Sequence, residues 1–396
     1  MEPRQLEARR RSHSAGARNV VLVGTYPPTA CGLATFTSNL RAAIEAPGWN
    51  ADVVRVVDRA AAPASTLTSG AEVVGEWLAG DLMSLARSLR TMATCDAVLL
   101  QHEYGLFGGP DGEEVLSLVH GVDAPLVAVV HTALLSPSAH QRRILEEIMA
   151  ASAVVVVQSE SAQRRLVEVH GIDHSRVVVV PHGAEANFSP LPPLGRSQGG
   201  LPKVLTWGLL GPGKGIEYAI AAVAELRRRG IDATYLIAGQ THPKVRTVEG
   251  ERYRDRLAGL ARELGLEDRV RFDDTYKDWE TLRAMVRSAD VILLPYDSTD
   301  QVSSGVLVEA LASARPVVAT RFPHAEELLA GGAGLVVAHR DATTMTDALE
   351  TILTQPAVAE AMAAAAQQEA RRLLWPAVGA AYRCLIEELV AARQAG

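Results

Sequence analysis

The sequence predicts an α/β protein built from two doubly wound, Rossmann-like domains, and three observations support this fold class. Short β-branched runs recur along the chain, most of them are apolar on consecutive residues, and helix-patterned stretches separate them. Consecutive apolar residues in a short run indicate a strand that is buried on both faces, as in a parallel sheet covered by helices. The regular alternation of strand and helix then predicts an α/β architecture.

The predicted strands fall into two groups of similar size. The runs of the first group cover 20–24, 51–57, 97–101, 126–131, 153–157 and 176–181, and those of the second cover 203–208, 233–239, 269–274, 290–295, 315–320 and 334–338. Between the groups, 189–202 carries Pro and Gly residues that no regular element can accommodate. We therefore predict a first domain over 19–190, a linker over 191–202 and a second domain over 203–370.

The two ends of the chain predict a basic tail and a terminal helix. Residues 1–18 hold five arginines and no apolar segment behind them, so we expect a disordered, solvated tail and not a secretory signal. Such a tail also leaves open a weak attraction to an anionic membrane surface. After Pro376, apolar residues recur at helical spacing, which predicts that 371–396 forms a helix crossing back to the first domain.

Composition and charge exclude several classes of protein. The 396 residues are 48% hydrophobic and carry 39 Lys and Arg against 46 Asp and Glu, a net charge of −7. This apolar content excludes disorder over most of the chain, and the acidic balance disfavours a nucleic-acid partner. No window of 18 consecutive apolar residues is present, and the three cysteines form no CxxC pair. We expect a cytoplasmic protein; the sequence does not determine its oligomeric state.

The turn after the run at 203–208 suggests an anion site. It reads GLLGPGKG from Gly208 to Gly215, which nearly matches a P-loop, but Gly215 lacks the hydroxyl that would hold magnesium. What remains is a helix N-terminus with Lys214 beside it. Because helix N-termini and ammonium groups both attract negative charge, we expect this turn to bind a diphosphate; a solvated lysine in a glycine-rich turn is the alternative.

The turn after the run at 290–295 is the most distinctive. Ser303, Ser304 and Gly305 open a helix that carries Glu309 among apolar neighbours. A helix start of this kind favours an anion, and a carboxylate in that position suits the hydroxyls of a ribose. An ordinary helix-terminal charge remains the alternative interpretation of Glu309.

Three further turns carry weaker signals. Gly32 opens a helix after the first predicted strand, and Gln240 follows the run at 233–239. In the first half, the polar group His102, Glu103 and Tyr104 follows one strand, and His131 closes the next. A strand-end histidine can bind a sugar or transfer a proton, although a lone one is often a satisfied core residue. Two parallel sheets would place such strand ends on the rims of one cleft.

Together these motifs resemble family 4 glycosyltransferases. The resemblance is carried by GLATFTSNL, AVVHT, PHGAE, GLLGPGKGIE and the SSGVLVEALA block, and it extends from about residue 19 to 390. It implies the two-domain GT-B fold and the transfer of a sugar, with retention of configuration, from a nucleotide-diphospho-sugar to an acceptor hydroxyl. It also implies that no metal or other cofactor is needed. The donor would be GDP- or UDP-linked, with mannose or glucose as the common sugars and a carbohydrate or glycosylated molecule as acceptor.

The resemblance also assigns roles to individual residues. Lys214 matches the lysine that meets the donor diphosphate, Glu309 matches the second glutamate of the E-x7-E signature, and His131 matches a strand-end histidine near the transferred sugar. These three are the expected catalytic residues. The expected donor-binding residues are Gly32, Leu33, Gly208, Lys214, Gln240, Gln301, Ser303, Ser304, Gly305, Val306 and Glu309. The expected acceptor-side residues are His102, Glu103 and Tyr104.

Two departures from the family pattern keep other functions open. Gln301 stands where the signature has its first glutamate, and Leu209 stands where many members have an arginine. A glutamine amide still donates to and accepts from sugar hydroxyls. The enzymatic alternatives are a GT-B phosphorylase or a nucleotide-sugar epimerase, and the non-enzymatic one is a nucleotide-sugar-binding protein.

Overall fold

The computed structural model describes residues 16–29, 31–58, 72–189, 200–275 and 277–395, except for the side chain of Lys244. The chain divides into two compact units: unit 1 is Met1–Gly183 with Trp375–Gly396, and unit 2 is Ala184–Leu374. Most of the predicted tail at 1–18 and of the predicted linker at 191–202 lies outside the described residues.

Unit 1 is built on a parallel sheet. Within the described ranges its strands are β1 (Arg18–Gly24), β2 (Trp49–Val57), β3 (Val73–Leu78), β4 (Ala97–His102), β5 (Leu126–Val130), β6 (Val154–Val157) and β7 (Val177–Val179). Their spatial order is β3-β2-β1-β4-β5-β6-β7, and all neighbours pair in parallel. From β1, the chain first adds strands on one side of the sheet (β2 and β3) and then on the other side (β4 to β7), as in a doubly wound fold.

The central strands of unit 1 are buried on both faces, as their consecutive apolar residues predict. Every residue of β4, β5 and β6 is buried, and successive apolar side chains of β4 and β5 enter two separate apolar clusters above and below the sheet. The flanking helices are α1 (Gly32–Ile44), α2 (Leu82–Met92), α3 (Val115–Val119), α4 (Ala139–Ala151) and α5 (Glu160–His170). Short 3₁₀ turns cover Pro110–Gly112 and His174–Arg176.

Unit 2 repeats this plan. Within the described part its strands are β8 (Lys203–Trp207), β9 (Thr234–Ala238), β10 (Val270–Asp273), β11 (Val291–Leu294), β12 (Val317–Thr320) and β13 (Gly334–Val337). They form a parallel sheet in the order β10-β9-β8-β11-β12-β13. The helices of this unit are α6 (Ile216–Arg228), α7 (Pro243–Glu249), α8 (Arg252–Glu263), α9 (Trp279–Arg287), α10 (Gly305–Ala312), α11 (Pro323–Leu329), α12 (Ala342–Thr354) and α13 (Pro356–Leu373).

The last helix, α14 (Trp375–Ala395), packs in unit 1. Val378 and Tyr382 are buried in the same cluster as Phe36 and Leu40 of α1. The two helices approach closely at Gly379, where a Cβ atom would lie 2.1 Å from the backbone oxygen of Ala43. The predicted return of the terminal helix to the first domain is therefore observed as part of its core.

The predicted α/β class is confirmed, with one strand missed. Twelve strand runs were expected, and each of them overlaps a strand of the sheets. The missed strand, β3, lies at the edge of the first sheet and is half-buried, with Gly75 and Glu76 in its middle. Edge position explains the omission, because a strand exposed along one side carries no continuous apolar run.

The division of the chain falls earlier than the predicted boundary at 190. Residues 184–189 belong to unit 2, where Ala184 N donates to Leu373 O at 2.8 Å and Asn187 Nδ2 donates to Ser313 Oγ at 2.9 Å. The second division, at Leu374, follows the end of α13 and not residue 370. Across the described residues, every helix is too short or too polar to serve as a membrane span.

Candidate functional site

Three strand ends of unit 2 meet at the carboxyl edge of its sheet. A Cβ atom on Gly239, after β9, would lie 1.8 Å from Gly208 O, after β8. A Cβ atom on Gly215 would lie 1.9 Å from Pro295 O, after β11, and both Gly215 and Gly239 have positive φ. These two positions therefore require glycine. Val306 also lies at this edge of the sheet. Its Cγ2 atom is 3.6 Å from the position that a Cβ atom on Gly208 would occupy.

Lys214 is a desolvated ammonium held by an aromatic ring. Its Nζ lies 4.4 Å from the ring centroid of Tyr296, within cation–π range. Burial lowers the pKa of Lys214, and among the described residues no carboxylate lies within ion-pair distance of it. Because a positive charge without a counterion in a partly dry site attracts anions strongly, this lysine is suited to bind a phosphate.

The helix start beside Lys214 presents main-chain amides. Ser304 is the N-cap of α10, and its Oγ accepts from Leu307 N at 3.3 Å. The amide of Ser304 already donates to His324 Nδ1 at 2.9 Å. The first helical amides are those of Gly305 and Val306, which an α-helix leaves without intrahelical acceptors. These two amides, and not that of Ser304, are therefore the donors that can face an anion.

Glu309 lies one turn further along α10. Its Oε2 accepts from Trp207 Nε1 at 3.3 Å, and burial raises the pKa of Glu309 to about 7. Lys214 lies over the ring of Tyr296, and burial of Tyr296, together with the charge of Glu309 nearby, raises the pKa of this tyrosine to about 12. Lys214 and Glu309 therefore both lie near Tyr296 in unit 2, and their shared role in binding a donor stays a prediction.

Of the remaining residues predicted to bind the donor, Gln301 lies in the loop before α10, whereas Gln240 is exposed. Gln301 Nε2 donates to Ser303 O at 3.0 Å, and Gln301 O lies 3.4 Å from His324 N, so this glutamine braces the loop before α10. Gln240 is exposed, and its main-chain oxygen accepts from Leu210 N at 2.8 Å. The structure therefore places Gln301 and Ser303 next to the cluster of Lys214, Tyr296 and Glu309, and gives Gln240 a main-chain contact only.

In unit 1, His131 lies between two glutamine amides at the end of β5. His131 Nε2 donates to Gln101 Oε1 at 2.9 Å, and Gln158 Nε2 donates to His131 Nδ1 at 2.9 Å. Burial, together with the nearby His182 and His102, lowers the pKa of His131 to about 3. The ring edge also contacts Phe36 at 4.8 Å between centroids. His131 is thus a neutral, fully engaged side chain.

The three predicted acceptor-side residues lie at the end of β4. His102 is buried, burial lowers its pKa to about 4, and its Nδ1 finds no partner among the described residues. Glu103 accepts from Thr132 Oγ1 at 2.6 Å, while the Tyr104 hydroxyl donates to Gln141 O at 3.2 Å. Glu103 and Tyr104 therefore tie the loop after β4 to the segments that follow β5.

Gly32 and Leu33 form the first turn of α1. The N-cap is Cys31, whose Sγ accepts from Ala34 N at 3.3 Å. No atom lies within 4 Å of a Cβ placed on Gly32, so this helix start faces open space. The expected role of Gly32 and Leu33 in binding the donor stays a prediction.

Sequence reasoning missed several residues that complete the two clusters. In unit 2 these are Trp207, Tyr296 and His324; in unit 1 they are Gln158, His182, Phe36 and Trp375. One signal was readable, because Gln101 and Gln158 each directly follow a run of apolar strand residues. The aromatic contacts gave no signal, since Phe36 and Trp375 are more than 300 positions apart in the chain.

Within the described residues, no three His, Cys, Asp or Glu side chains gather as a metal-ligand set. The site chemistry of unit 2 consists of an ammonium, a carboxylate and helix amides around an aromatic ring. That of unit 1 consists of a histidine between amides and a polar strand end. Both lie at the carboxyl edges of parallel sheets, where ligands bind in open α/β folds.

The fold and these sites define a GT-B glycosyltransferase, and comparison with known families supports this class. The model described as "Glycosyltransferase Family 4" matches residues 30–188, and the model described as "Glycosyl transferases group 1" matches 201–355. The chain belongs to the family 4 glycosyltransferases.

Similar proteins include two named D-inositol 3-phosphate glycosyltransferase. The one from Kineococcus radiotolerans is 30% identical over 69% of this chain and 69% of its own length, and the one from Actinosynnema mirum is 29% identical over 63% and 64%. Among solved structures, Anabaena HepE in complex with UDP has a TM-score of 0.72 at 16% identity, covering 94% of this chain and all of that one. Sucrose-phosphate synthase from Thermosynechococcus elongatus has a TM-score of 0.73 at 20% identity over 95% and 100%. These two likenesses confirm the fold.

Proposed function

We propose that the protein is a retaining hexosyltransferase that moves a sugar, glucose or mannose, from a nucleotide-diphospho-sugar to an acceptor hydroxyl. Unit 2 binds the donor, and the carboxyl edge of the unit 1 sheet contributes the acceptor side. The observation that carries the proposal is the Lys214 ammonium, which is desolvated, stacked on Tyr296 and without a carboxylate partner among the described residues.

The proposed role of the unit 2 cluster is to stabilise the leaving group. When the bond between the sugar and the diphosphate breaks, negative charge grows on the diphosphate oxygen. Lys214 and the amides of Gly305 and Val306 are fixed donors aimed at such charge, and fixed donors in a partly dry site stabilise it more than water does. Glu309 accepts from the ribose hydroxyls. The acceptor hydroxyl then attacks the oxocarbenium-like sugar from the face that the diphosphate leaves, and its proton passes to the departing diphosphate oxygen, so that the configuration is retained.

Similar proteins guide the choice of substrates. The HepE structures were solved with UDP, with UDP and glucose, and with UDP-glucose, which favours a UDP-linked hexose; GDP-mannose is the second donor to test. The name D-inositol 3-phosphate glycosyltransferase suggests a small phosphorylated polyol as the first acceptor class to offer. No metal ion is included in the proposed reaction.

The test is nucleotide release and product analysis with purified protein. UDP- and GDP-linked hexoses are offered with and without inositol phosphates and simple sugars, and the anomeric configuration of each product is determined. We expect acceptor-dependent release of nucleoside diphosphate with retained configuration. Release that depends on inorganic phosphate would indicate a phosphorylase, and conversion of the donor sugar without an acceptor would indicate an epimerase.

Matched variants separate binding from folding. Lys214→Ala removes the ammonium, Tyr296→Leu removes the ring beneath it, and Tyr296→Phe keeps the ring but loses its hydroxyl. We expect nucleoside diphosphate affinity to fall about 10- to 100-fold in Lys214→Ala and more in Tyr296→Leu than in Tyr296→Phe. Binding by calorimetry with no turnover of any donor would instead support a nucleotide-sugar-binding protein.

A further inference from the structure

The ends of β4, β5 and β6 place three polar side chains in a row on one face of the unit 1 sheet. In the parallel register Gln101 pairs with Val129, and Val129 pairs with Val156. Because side chains two residues apart along a strand share a face, Gln101, His131 and Gln158 all lie on the same side. That side also carries Phe36, whose ring contacts His131.

The row is buried and its hydrogen bonds have a fixed direction. Gln101 is 0% and Gln158 is 3% exposed. An amide oxygen only accepts and an amide nitrogen only donates, so the contact to Gln101 Oε1 requires a proton on His131 Nε2. The contact from Gln158 Nε2 requires a lone pair on His131 Nδ1.

We propose that Gln101 and Gln158 are positioning residues that lock His131 as the neutral tautomer protonated at Nε2, so that His131 is a fixed group in sugar transfer and not a proton carrier. Protonating Nδ1 would set two N–H donors against each other across 2.9 Å inside the core. Among the described titratable groups near the ring, His102 and His182 also have pKa values lowered by burial, and no carboxylate contributes to the pKa of His131.

This inference deepens the proposed function, since it states how one of its residues acts. One observation shows that the row is specialised: Gln101 Nε2 is buried with no partner in the described structure. An unsatisfied buried donor costs about 1–3 kcal/mol. An apolar side chain at that position would avoid this cost, so the amide oxygen that holds His131 is the reason for a glutamine there.

The test measures the tautomer directly on the full chain, without substrate. The protein is labelled with ¹⁵N-histidine, and long-range ¹H–¹⁵N correlation spectra are recorded from about pH 5 to about pH 9. The His131 signals are assigned by their absence in His131→Gln. We expect a protonated Nε2 and a bare Nδ1 throughout this range. A proton on Nδ1, or titration of His131 within this range, would overturn the proposal.

Matched glutamate variants test the two amides separately. Gln158→Glu replaces the donor with a carboxylate, so Nδ1 should gain a proton and His131 should become charged near neutral pH. Gln101→Glu keeps an acceptor at Nε2, so the bare Nδ1 should persist at the alkaline end of the range. Gln163→Glu, on α5 and bonded to Val177 O, adds the same charge away from the row and should leave the spectrum of His131 as in the unmodified protein. An unchanged His131 spectrum in folded Gln158→Glu contradicts the proposal.

Kinetics then connect the row to sugar transfer. In unmodified protein the pH profile of kcat should show no inflection from His131, while Gln158→Glu should lower kcat about 10- to 100-fold with little change in the donor KM. If the unmodified protein turns over no donor, the proposed function fails, whereas the tautomer is still decided by the spectra.

Discussion

Glu309 combines burial with a titratable charge, and this makes a pH-dependent contribution to stability. Burial raises its pKa from 4.5 to about 7, so the folded chain binds a proton that the unfolded chain has already lost. The unfolding free energy therefore falls as pH rises from about 4.5 to about 7, and the loss is complete above that range. A carboxylate kept here at such a cost is expected of a ligand-binding residue.

Replacing Glu309 by Gln should remove the pH-dependent loss of unfolding free energy that the buried carboxylate causes. We expect Glu309→Gln to match the unmodified protein near pH 4.5 and to be more stable by about 1–3 kcal/mol above pH 8, while its affinity for nucleoside diphosphate falls. Denaturant unfolding at both pH values measures the difference. Glu360→Gln, at an exposed position of α13, is the control and should show no such pH-dependent gain. Equal stability of Glu309→Gln and the unmodified protein at pH 8 would contradict the assigned pKa direction.

Much of the residue-scale site was predictable from local patterns. Lys214 and Glu309 follow strands at positions where parallel sheets bind ligands, so their clustering follows from strand order. Tyr296 and His324 were not found, because their roles depend on contacts across 82 and 20 positions with Lys214 and Ser304, and side-chain direction is not encoded in spacing. The hydrogen bond from the Ser304 amide to His324 Nδ1 likewise depends on the tertiary structure.

At the scale of the elements, the packing of α14 on α1 depends on a glycine. A Cβ atom on Gly379 would lie 2.1 Å from Ala43 O and 2.6 Å from Ala43 C, and neither backbone atom can move without moving α1. Arg383 Nη1 also donates to Ala43 O at 2.6 Å, which holds the helices at this distance. The interface between these two helices is therefore closed to any larger side chain.

Two glycine-to-alanine variants should have opposite effects. Gly379→Ala should destabilise unit 1 by about 1–3 kcal/mol through overpacking. Gly259→Ala, inside α8 with no atom within 4 Å of a new Cβ, should stabilise unit 2 by up to about 1 kcal/mol through helix propensity. Thermal unfolding followed by circular dichroism tests both. A neutral Gly379→Ala would show that the two helices separate at little cost.

At the scale of the whole molecule, the chain leaves unit 1, forms unit 2 and returns. The returning segment contributes Trp375, Val378, Tyr382 and Ile386 to the core of unit 1. Fully burying side chains of this size contributes about 1.5–3 kcal/mol each, which is a large share of the stability of a domain. The core of unit 1 is therefore incomplete without α14.

Removing residues 375–396 should destabilise unit 1 selectively. We expect faster hydrogen exchange throughout β1, β4 and β5 and increased binding of an apolar dye, while β8 and β11 of unit 2 keep their protection. Exchange measured by mass spectrometry on the shortened chain tests this. Removing only 392–396, whose described residues are exposed, should change neither unit. Protection of β1 equal to that of the full chain would contradict the role assigned to α14.

The sequence by itself determined the α/β class, nearly all the strands and the strand ends that carry Lys214, Glu309 and His131. It could do so because burial on both faces of a strand and the turn after it are local properties of consecutive residues. Only the tertiary structure decided that the returning helix packs against α1 at Gly379, that Lys214 lies over the ring of Tyr296, and that two amides hold His131. These depend on side chains that meet across strands and distant segments, where packing distance and hydrogen-bond direction, and not spacing along the chain, determine the chemistry.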